Sequence, residues 1–268
     1  MVFSDASKFQ AMQPKKTLEP HYFSGANFNI VDTEKFKKAM ELLRESLFDK
    51  GATLFAADNI ITWNRNLSFL RDDYFIRIIQ DEKNTGVEKS ILWRLYVLLY
   101  FAEMAAQREG DFVELGCHTG FTASHVVQKV DFKKIGKKYY LYDLFEWKEG
   151  DKHTHLPGHD NKKMYEDVKA RFASFPFVRI IKGSVPESLS QDFPEKIAFA
   201  HIDMNHPDPE VGALQRVLPV LSPGGVIIFD DYGWWGYSAQ KMALDPIIEK
   251  NGLKILELPT GQGLLIKP

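Results

Sequence analysis

One cysteine, Cys117, in 268 residues excludes an intrachain disulfide and points to a reducing compartment. Charge of either sign is not in excess: 34 Lys and Arg face 36 Asp and Glu, a formal net charge of −2. That balance offers no basic footprint for nucleic acid and no acidic solvating tail. No apolar run is long enough for a membrane span. The most apolar window, "ILWRLYVLLYFAEMAA" at 91–106, is short for a bilayer and carries Arg94 and Glu103. It reads as a helix buried on most sides. The start, "MVFSDASKFQAMQPKK", lacks the charged and apolar regions of a signal peptide, so a cytoplasmic protein without membrane or nucleic-acid partners is expected. Repeats and low-complexity segments are missing too.

What is there fits a globular chain: 44% hydrophobic and 26% charged residues, enough for one large core, or a domain with an extension. From about residue 111, short apolar runs alternate with amphipathic ones. "DFVEL" (111–115), "YYLYD" (139–143), "VRIIK" (178–182), "IAFAHID" (197–203) and "VIIFD" (226–230) read as strands. Helical stretches at 121–131, 162–174, 209–221 and 237–250 separate or follow them. This α/β alternation predicts right-handed crossovers and a mostly parallel sheet covered on both faces. "LKILELP" and "GLLIKP" are joined only by "TGQG", too short for a crossover, and should close the sheet as an antiparallel hairpin. Residues 1–110 are more helical, with no clear sheet. Phe36, Met40, Leu43 and Leu47 share a helix face that Gly51 would terminate, and 59–75 resist assignment.

"VELGCHTGFTA" (113–123) leaves the first strand through Gly116 and enters a helix near Gly120. Glycines there let backbone approach a ligand, with helix-start amides as donors. The dinucleotide series of glycines is incomplete, since His118 stands at the middle position, which argues against a nicotinamide oxidoreductase. Asp143, ending the second strand, is placed to accept from a ribose diol. Ser184 and its neighbours after the third strand are placed for an adenine edge. Asp143 has a plainer reading as a loop acid in solvent.

"DFVELGCHTGFTA", "YLYDLFE", "HIDMNHPDPEVGALQRVLPVLSPGGVIIFDDYG" and "LPTGQGLLIKP" together resemble a class I S-adenosylmethionine-dependent methyltransferase. Within that superfamily they are similar to the macrocin O-methyltransferase family, metal-dependent enzymes that methylate sugar hydroxyls. The resemblance covers about residues 90–268. It implies a Rossmann-like, seven-stranded, mostly parallel sheet. The expected organisation is a mainly helical extension, 1–88, shaping the acceptor pocket or an oligomer contact, and a cofactor-binding domain, 89–268. A homo-oligomer, dimer or larger, is expected. The resemblance also implies that Glu114, Gly116 and Gly120 line the methionine half of the cofactor, with Cys117, Phe121 and Asp203 beside them and Asp143 at the ribose.

In such a fold Asp203 and Asp230 end neighbouring strands, and Asp231 joins them if the chain turns at Tyr232-Gly233. Carboxylate oxygens suit Mg²⁺, less decisively Mn²⁺ or Ca²⁺, whereas zinc prefers His or Cys. The resemblance implies Asp203, Asp230 and Asp231 as ligands. The alternative is a solvated pair with Asp231 capping the next helix. A bound cation would orient an acceptor hydroxyl and lower its pKa, and a base must take the proton. The family pattern Asp-x-Asp supplies that base, but here Asn205 stands at the second acid. His206 is the replacement the sequence offers, alongside Asp203; a histidine that only orients substrate is the alternative.

The stretch 146–163 is long and polar and reads as a lid, its His153, His155 and His159 solvated rather than metal-binding. Tyr232, Trp234, Trp235 and Tyr237 could stack on a sugar or pack within the protein, and Gln262 of "TGQG" could reach the same pocket. With Asn205, these residues are the expected substrate set. The leading expectation is a sugar O-methyltransferase. A catechol-like acceptor and a catalytically silent cofactor-binding module remain open beside it.

Overall fold

The computed structural model describes residues 22–47, 53–146 and 162–268. The chain divides into two compact units, Met1–Ser90 and Ile91–Pro268. In the first, β1 (Tyr22–Ser24), α1 (Thr33–Ser46), β2 (Leu54–Ala57) and β3 (Ile60–Trp63) precede α2 (Asp73–Gln80) and α3 (Gly86–Ser90). Asp32 starts α1, its carboxylate accepting from the Lys35 amide at 3.0 Å. Met40 then packs with Leu54 and Ala56, flanked by Phe36, Leu43 and Leu47, the face that the helical spacing predicts. Gly51, the expected stop, lies outside the described residues.

The expectation of no sheet in this region is corrected. β1 pairs parallel to β2, and β2 pairs antiparallel to β3. The β2–β3 turn is Asp58-Asn59, both with positive φ, 53° and 58°. Positive φ at both central residues is the turn whose twist matches a two-residue hairpin, and Asp and Asn tolerate it among non-glycine residues. "LFAADNIITW" therefore carried a hairpin signal that the lack of glycine concealed.

The second unit holds α4 (Leu92–Ala105), β4 (Asp111–Leu115), α5 (Phe121–Lys129), α6 (Phe132–Ile135), β5 (Tyr139–Asp143), α7 (Met164–Phe172) and β6 (Val178–Lys182). It continues with β7 (Ile197–Ile202), α8 (Pro207–Val220), β8 (Leu221–Phe229), α9 (Ser238–Lys250), β9 (Leu256–Glu257) and β10 (Gly263–Ile266). The sheet is seven-stranded, ordered β6-β5-β4-β7-β8-β10-β9. Its first five strands are parallel, and β10 runs antiparallel between β8 and β9. The expected parallel sheet and closing hairpin are both present. β8 starts at Leu221 rather than Val226, because α8 runs directly into it and a register shift against β7 absorbs the extra residues.

All six residues of β7 are buried, as a central parallel strand covered on both faces requires. The core runs from Val113 and Leu115 through Ala200 and Ile202 to Ile227, Phe229 and Leu265, with Leu214 and Val217 of α8 and Leu244 of α9 against it. α4 is buried along Leu92, Leu95, Leu98, Leu99, Ala102 and Ala105, while Tyr96, Tyr100 and Met104 reach the surface. The exposed residues form one stripe, and the helix is buried or half-buried on its other sides, as the sequence predicts. Among the described residues no helix is long and apolar enough to cross a membrane.

Candidate functional site

The strands β4, β5, β7 and β8 deliver their carboxyl ends to one edge of the sheet, where ligands of open parallel sheets bind. From β4 the chain passes through Gly116 (φ 90°) and Gly120 (φ 73°) into α5. Both glycines are demanded by protein neighbours. A Cβ on Gly116 would stand 1.8 Å from the Asp203 carbonyl oxygen, and one on Gly120 would stand 2.7 Å from the Phe172 ring. The loop therefore seats directly on the end of β7 and on α7. Asp143 holds its other side, accepting from the His118 amide and the Phe145 amide at 2.8 Å each. Burial raises the Asp143 pKa in spite of these bonds. Each carboxylate oxygen has a second lone pair, so a diol could still share the group.

Cys117 and Phe121, also expected around the cofactor, are more enclosed. Cys117 is buried, and that burial, with Asp143 and Glu114 nearby, pushes its thiol well above the ordinary range. It is no thiolate nucleophile. Phe121 packs edge-on against His125, ring centres 4.6 Å apart. Ser184 is exposed and donates to Glu187 Oε2 at 2.8 Å.

Glu114 is fully buried. Strand register sets its surroundings: Glu114 lies beside His201 on β7, which lies beside Ile228 on β8, and Asp230 follows two residues on. With period-two alternation these side chains share one face of the sheet. Thr122 Oγ1 donates to Glu114 Oε1 at 2.5 Å, and the Tyr139 hydroxyl donates to Oε2. His201 stands between two acids, Nδ1 3.4 Å from Glu114 Oε1 and Nε2 3.5 Å from Asp230 Oδ1. Burial works against its charge, but hydrogen bonding to Asp230 and Glu114 outweighs it and holds the imidazolium well above its usual pKa. Glu114 thus pins the start of α5 and couples it to the acid edge.

The adjacent carboxylates at the end of β8 meet a cation from the protein. Arg94 of α4 donates through one terminal nitrogen to Asp230 Oδ2 at 2.6 Å and Asp231 Oδ1 at 3.1 Å. The Arg94, Asp230 and Asp231 side chains are 10%, 12% and 9% exposed, so the triad is nearly dry. Both carboxylates reach one guanidinium because β8 stops at Phe229 and the chain turns, closed by Trp234 N–H to Asp231 O at 3.1 Å. The guanidinium also lies 5.2 Å from the Trp234 ring centre, and Gln262 donates to Asp230 Oδ1 at 3.1 Å. Burial would raise Asp230, but Arg94 and His201 prevail and hold it well below the usual carboxylate range. Asp203 goes the other way: burial, then the charges of Asp230 and Asp231, push it well above. Ligand atoms of His201, Asp203 and Asp230 lie within 4.8 Å of one another. Four carboxylates, at 114, 203, 230 and 231, face two cationic side chains, Arg94 and His201, a formal excess of two negative charges. A divalent cation fits that excess and the oxygen donors of Asp203 and Asp230. Asp230 is the member most engaged with Arg94, at 2.6 Å against 3.1 Å for Asp231.

The loop from β7 to α8 carries Asn205 (φ 57°), whose amide donates to Asp203 Oδ1 at 3.3 Å. His206 is the N-cap of α8: its Nδ1 accepts from the Asp208 amide at 3.3 Å, and the side chain is 45% exposed. A neutral imidazole that accepts at Nδ1 carries its proton at Nε2, so the basic nitrogen is already occupied by the cap. Glu210, one turn into α8, is buried and accepts from the Met204 amide at 3.3 Å and from Gln240. Burial, with the Asp231 charge adding to it, raises its pKa to about 8.

The aromatic residues after Asp231 disperse. Tyr232 is buried against α9, where its hydroxyl donates to Asp245 and accepts from Lys241 at 2.7 Å. Trp234 backs Arg94, and Trp235 is 92% exposed. Tyr237 has its pKa pushed to about 12 by burial and by the charges of Asp231 and Asp203. The lid residues 147–161, with His153, His155 and His159, lie outside the described residues.

Arg94, His201 and Glu210 were not among the expected site residues. Arg94 and His201 had a signal: each is a lone polar residue in an apolar segment, and buried charges need partners.

A seven-stranded sheet of this order, with a glycine loop after its first strand and an acid edge two strands away, is the arrangement of the Rossmann-like methyltransferase fold. Residues 113–232 match a family described as a methyltransferase domain. The second unit accordingly carries a methyltransferase domain. Among solved structures the chain is similar to CalS11, a calicheamicin methyltransferase, at 14% identity and TM-score 0.53, covering 87% of this chain and 91% of that one. The apo form, described as a TDP-rhamnose 3'-O-methyltransferase, gives 15% identity and TM-score 0.50 over 87% and 93%. The O-methyltransferase NovP gives 17% identity and TM-score 0.52 over 68% of this chain and 81% of that one. At these identities the likeness is one of fold. No curated protein matches the sequence.

Proposed function

We propose that this chain is a cytoplasmic enzyme that transfers the methyl group of S-adenosylmethionine to a hydroxyl of a sugar, nucleotide-linked or within a glycan or glycoside, with Mg²⁺ at its acid edge. The observation that carries the reading is the gathering of Asp203, Asp230 and Asp231 beside the glycine loop, tied to it by Glu114 and His201. The similarity to proteins described as an O-methyltransferase and a TDP-rhamnose 3'-O-methyltransferase supports the choice of a sugar hydroxyl.

Loop residues 116–121 hold the methionine half of the donor and Asp143 its ribose. Asp203 and Asp230, with Asp231 beside them, hold the cation, which when bound polarises the acceptor hydroxyl. Asp203, at the acid edge with its ligand atom within 4.8 Å of those of His201 and Asp230, is the better placed of the two candidate proton acceptors. His206 would have to give up its cap on Asp208 first. Asn205 orients Asp203 instead of taking a proton. Tyr237 and Trp235 offer rings to the acceptor, while Tyr232 faces α9.

The test is methyl transfer from labelled S-adenosylmethionine to a panel of nucleotide sugars and glycosides, with catechols as the competing class, in Mg²⁺ and after chelation. Transfer to a sugar that falls at least a hundredfold in Asp203→Asn, but less than tenfold in His206→Ala, supports the assignment. Transfer only to catechols refutes the sugar. Cofactor binding without transfer to any acceptor, parent included, refutes the enzyme reading for these classes.

A further inference from the structure

Resting on that reading of the acid edge, we infer that Arg94 is its resident cation, competing with the divalent ion for Asp230 and Asp231. Two carboxylates consecutive in sequence are brought to one nitrogen of one guanidinium, in a setting with little water to screen their repulsion. Without a cation shared by both carboxylates that arrangement would be strongly unfavourable; His201 meets Asp230 at 3.5 Å, whereas Arg94 meets both, so the pair stays assembled only if Arg94 or an ion bridges it. The Arg94 position is built. Its helix is anchored by Leu95, Leu98 and Leu99, each almost fully buried, and its guanidinium lies against the Trp234 ring. That ring in turn rests on Gly261, where a Cβ would lie 2.3 Å from the indole nitrogen.

Asp230 is the contested group. One oxygen takes Arg94, and the other takes Gln262 at 3.1 Å with His201 at 3.5 Å. An ion that binds through Asp230 has to share or replace one of these donors, whereas Asp203 meets the Asn205 amide at a longer 3.3 Å. Arg94 therefore sets the apparent affinity of the edge for a cation. It is a positioning residue, acting through Asp230 and Asp231.

The experiment uses Mn²⁺ as the probe, counted by electron paramagnetic resonance on the full chain, in the parent, Arg94→Met and Trp234→Leu. Removing the guanidinium should tighten Mn²⁺ binding at least tenfold, and loosening it through Trp234 should tighten it about threefold. The lowered melting temperature of Arg94→Met should return to within a few degrees of the parent in saturating Mn²⁺. Equal or weaker Mn²⁺ binding in folded Arg94→Met overturns the inference. If Arg94→Met does not fold even with Mn²⁺, the Trp234→Leu affinity decides, and no tightening there overturns it equally. Parent and both variants that all fail to bind Mn²⁺ overturn this inference and the metal part of the proposed function together. Binding in the parent without tightening in the variants sinks the competition alone.

Discussion

Gly116→Ala should do far more damage than its single methyl suggests. The added Cβ would lie 1.8 Å from the Asp203 carbonyl oxygen, about 1.5 Å short of an ordinary carbon–oxygen contact near 3.3 Å. Neither side yields cheaply. Gly116 N–H is bonded to Tyr142 O at 2.8 Å, and Asp203 N–H to Leu115 O at 2.8 Å, so relief of the clash strains two bonds that end the ladder. Alanine at φ 90° costs about 1–2 kcal/mol, and two weakened hydrogen bonds about 1 kcal/mol each, giving a loss of roughly 3–4 kcal/mol. Against a typical domain stability of about 5–15 kcal/mol the protein should still fold, with the end of β7 displaced. Gly136→Ala is the internal control. It has a similar φ of 67° but nothing within 4 Å of the new Cβ, and should lose only about 1 kcal/mol. Urea unfolding followed by tryptophan fluorescence gives both stabilities, and calorimetry gives S-adenosylhomocysteine affinity. Equal losses in the two variants, with cofactor affinity unchanged in Gly116→Ala, would refute the claim that this glycine exists to admit the Asp203 backbone.

Two pH dependences follow from buried groups. His125 is depressed to about 4 by burial and by Arg171, so its neutral form stabilises the fold above its unfolded pKa near 6.5, and that stability is lost as pH falls through 4. At pH 5 the parent should have lost about 2 kcal/mol that His125→Gln keeps, measured as the difference in their unfolding curves between pH 7 and pH 5. Glu210 has the opposite sign. Its pKa is raised to about 8, so its protonated form stabilises below the unfolded value near 4.5, and the contribution is lost as pH rises through 8. Glu210→Gln should be more stable than the parent by an amount that grows by up to about 3 kcal/mol between pH 5 and pH 8, and a flat difference would show that Glu210 is ionised throughout.

Most of the sheet could be read before folding, because buried parallel strands are continuous apolar runs and their order follows from short, right-handed connections. "TGQG" forced the hairpin by its length, and the same hairpin brings Gln262 onto Asp230. The N-terminal sheet was hidden because its turn, Asp58-Asn59, reaches positive φ without the glycine that usually announces it. The aromatic rim could not be apportioned either: "DDYGWWGY" is equally polar and aromatic whichever way each ring turns, and only packing sends Tyr232 to α9 and Trp234 to Arg94.

By itself the sequence determined the parallel α/β sheet, the glycine loop, and the placement of acids at strand ends, since these follow from local periodicity and chain length. Tertiary structure alone decided what stands between those acids. Arg94 is 136 residues from Asp230 in the chain, and Glu114 meets His201 only through strand register. Local patterning says that a charge is buried, and only the assembled fold says which opposite charge shares its dry surroundings.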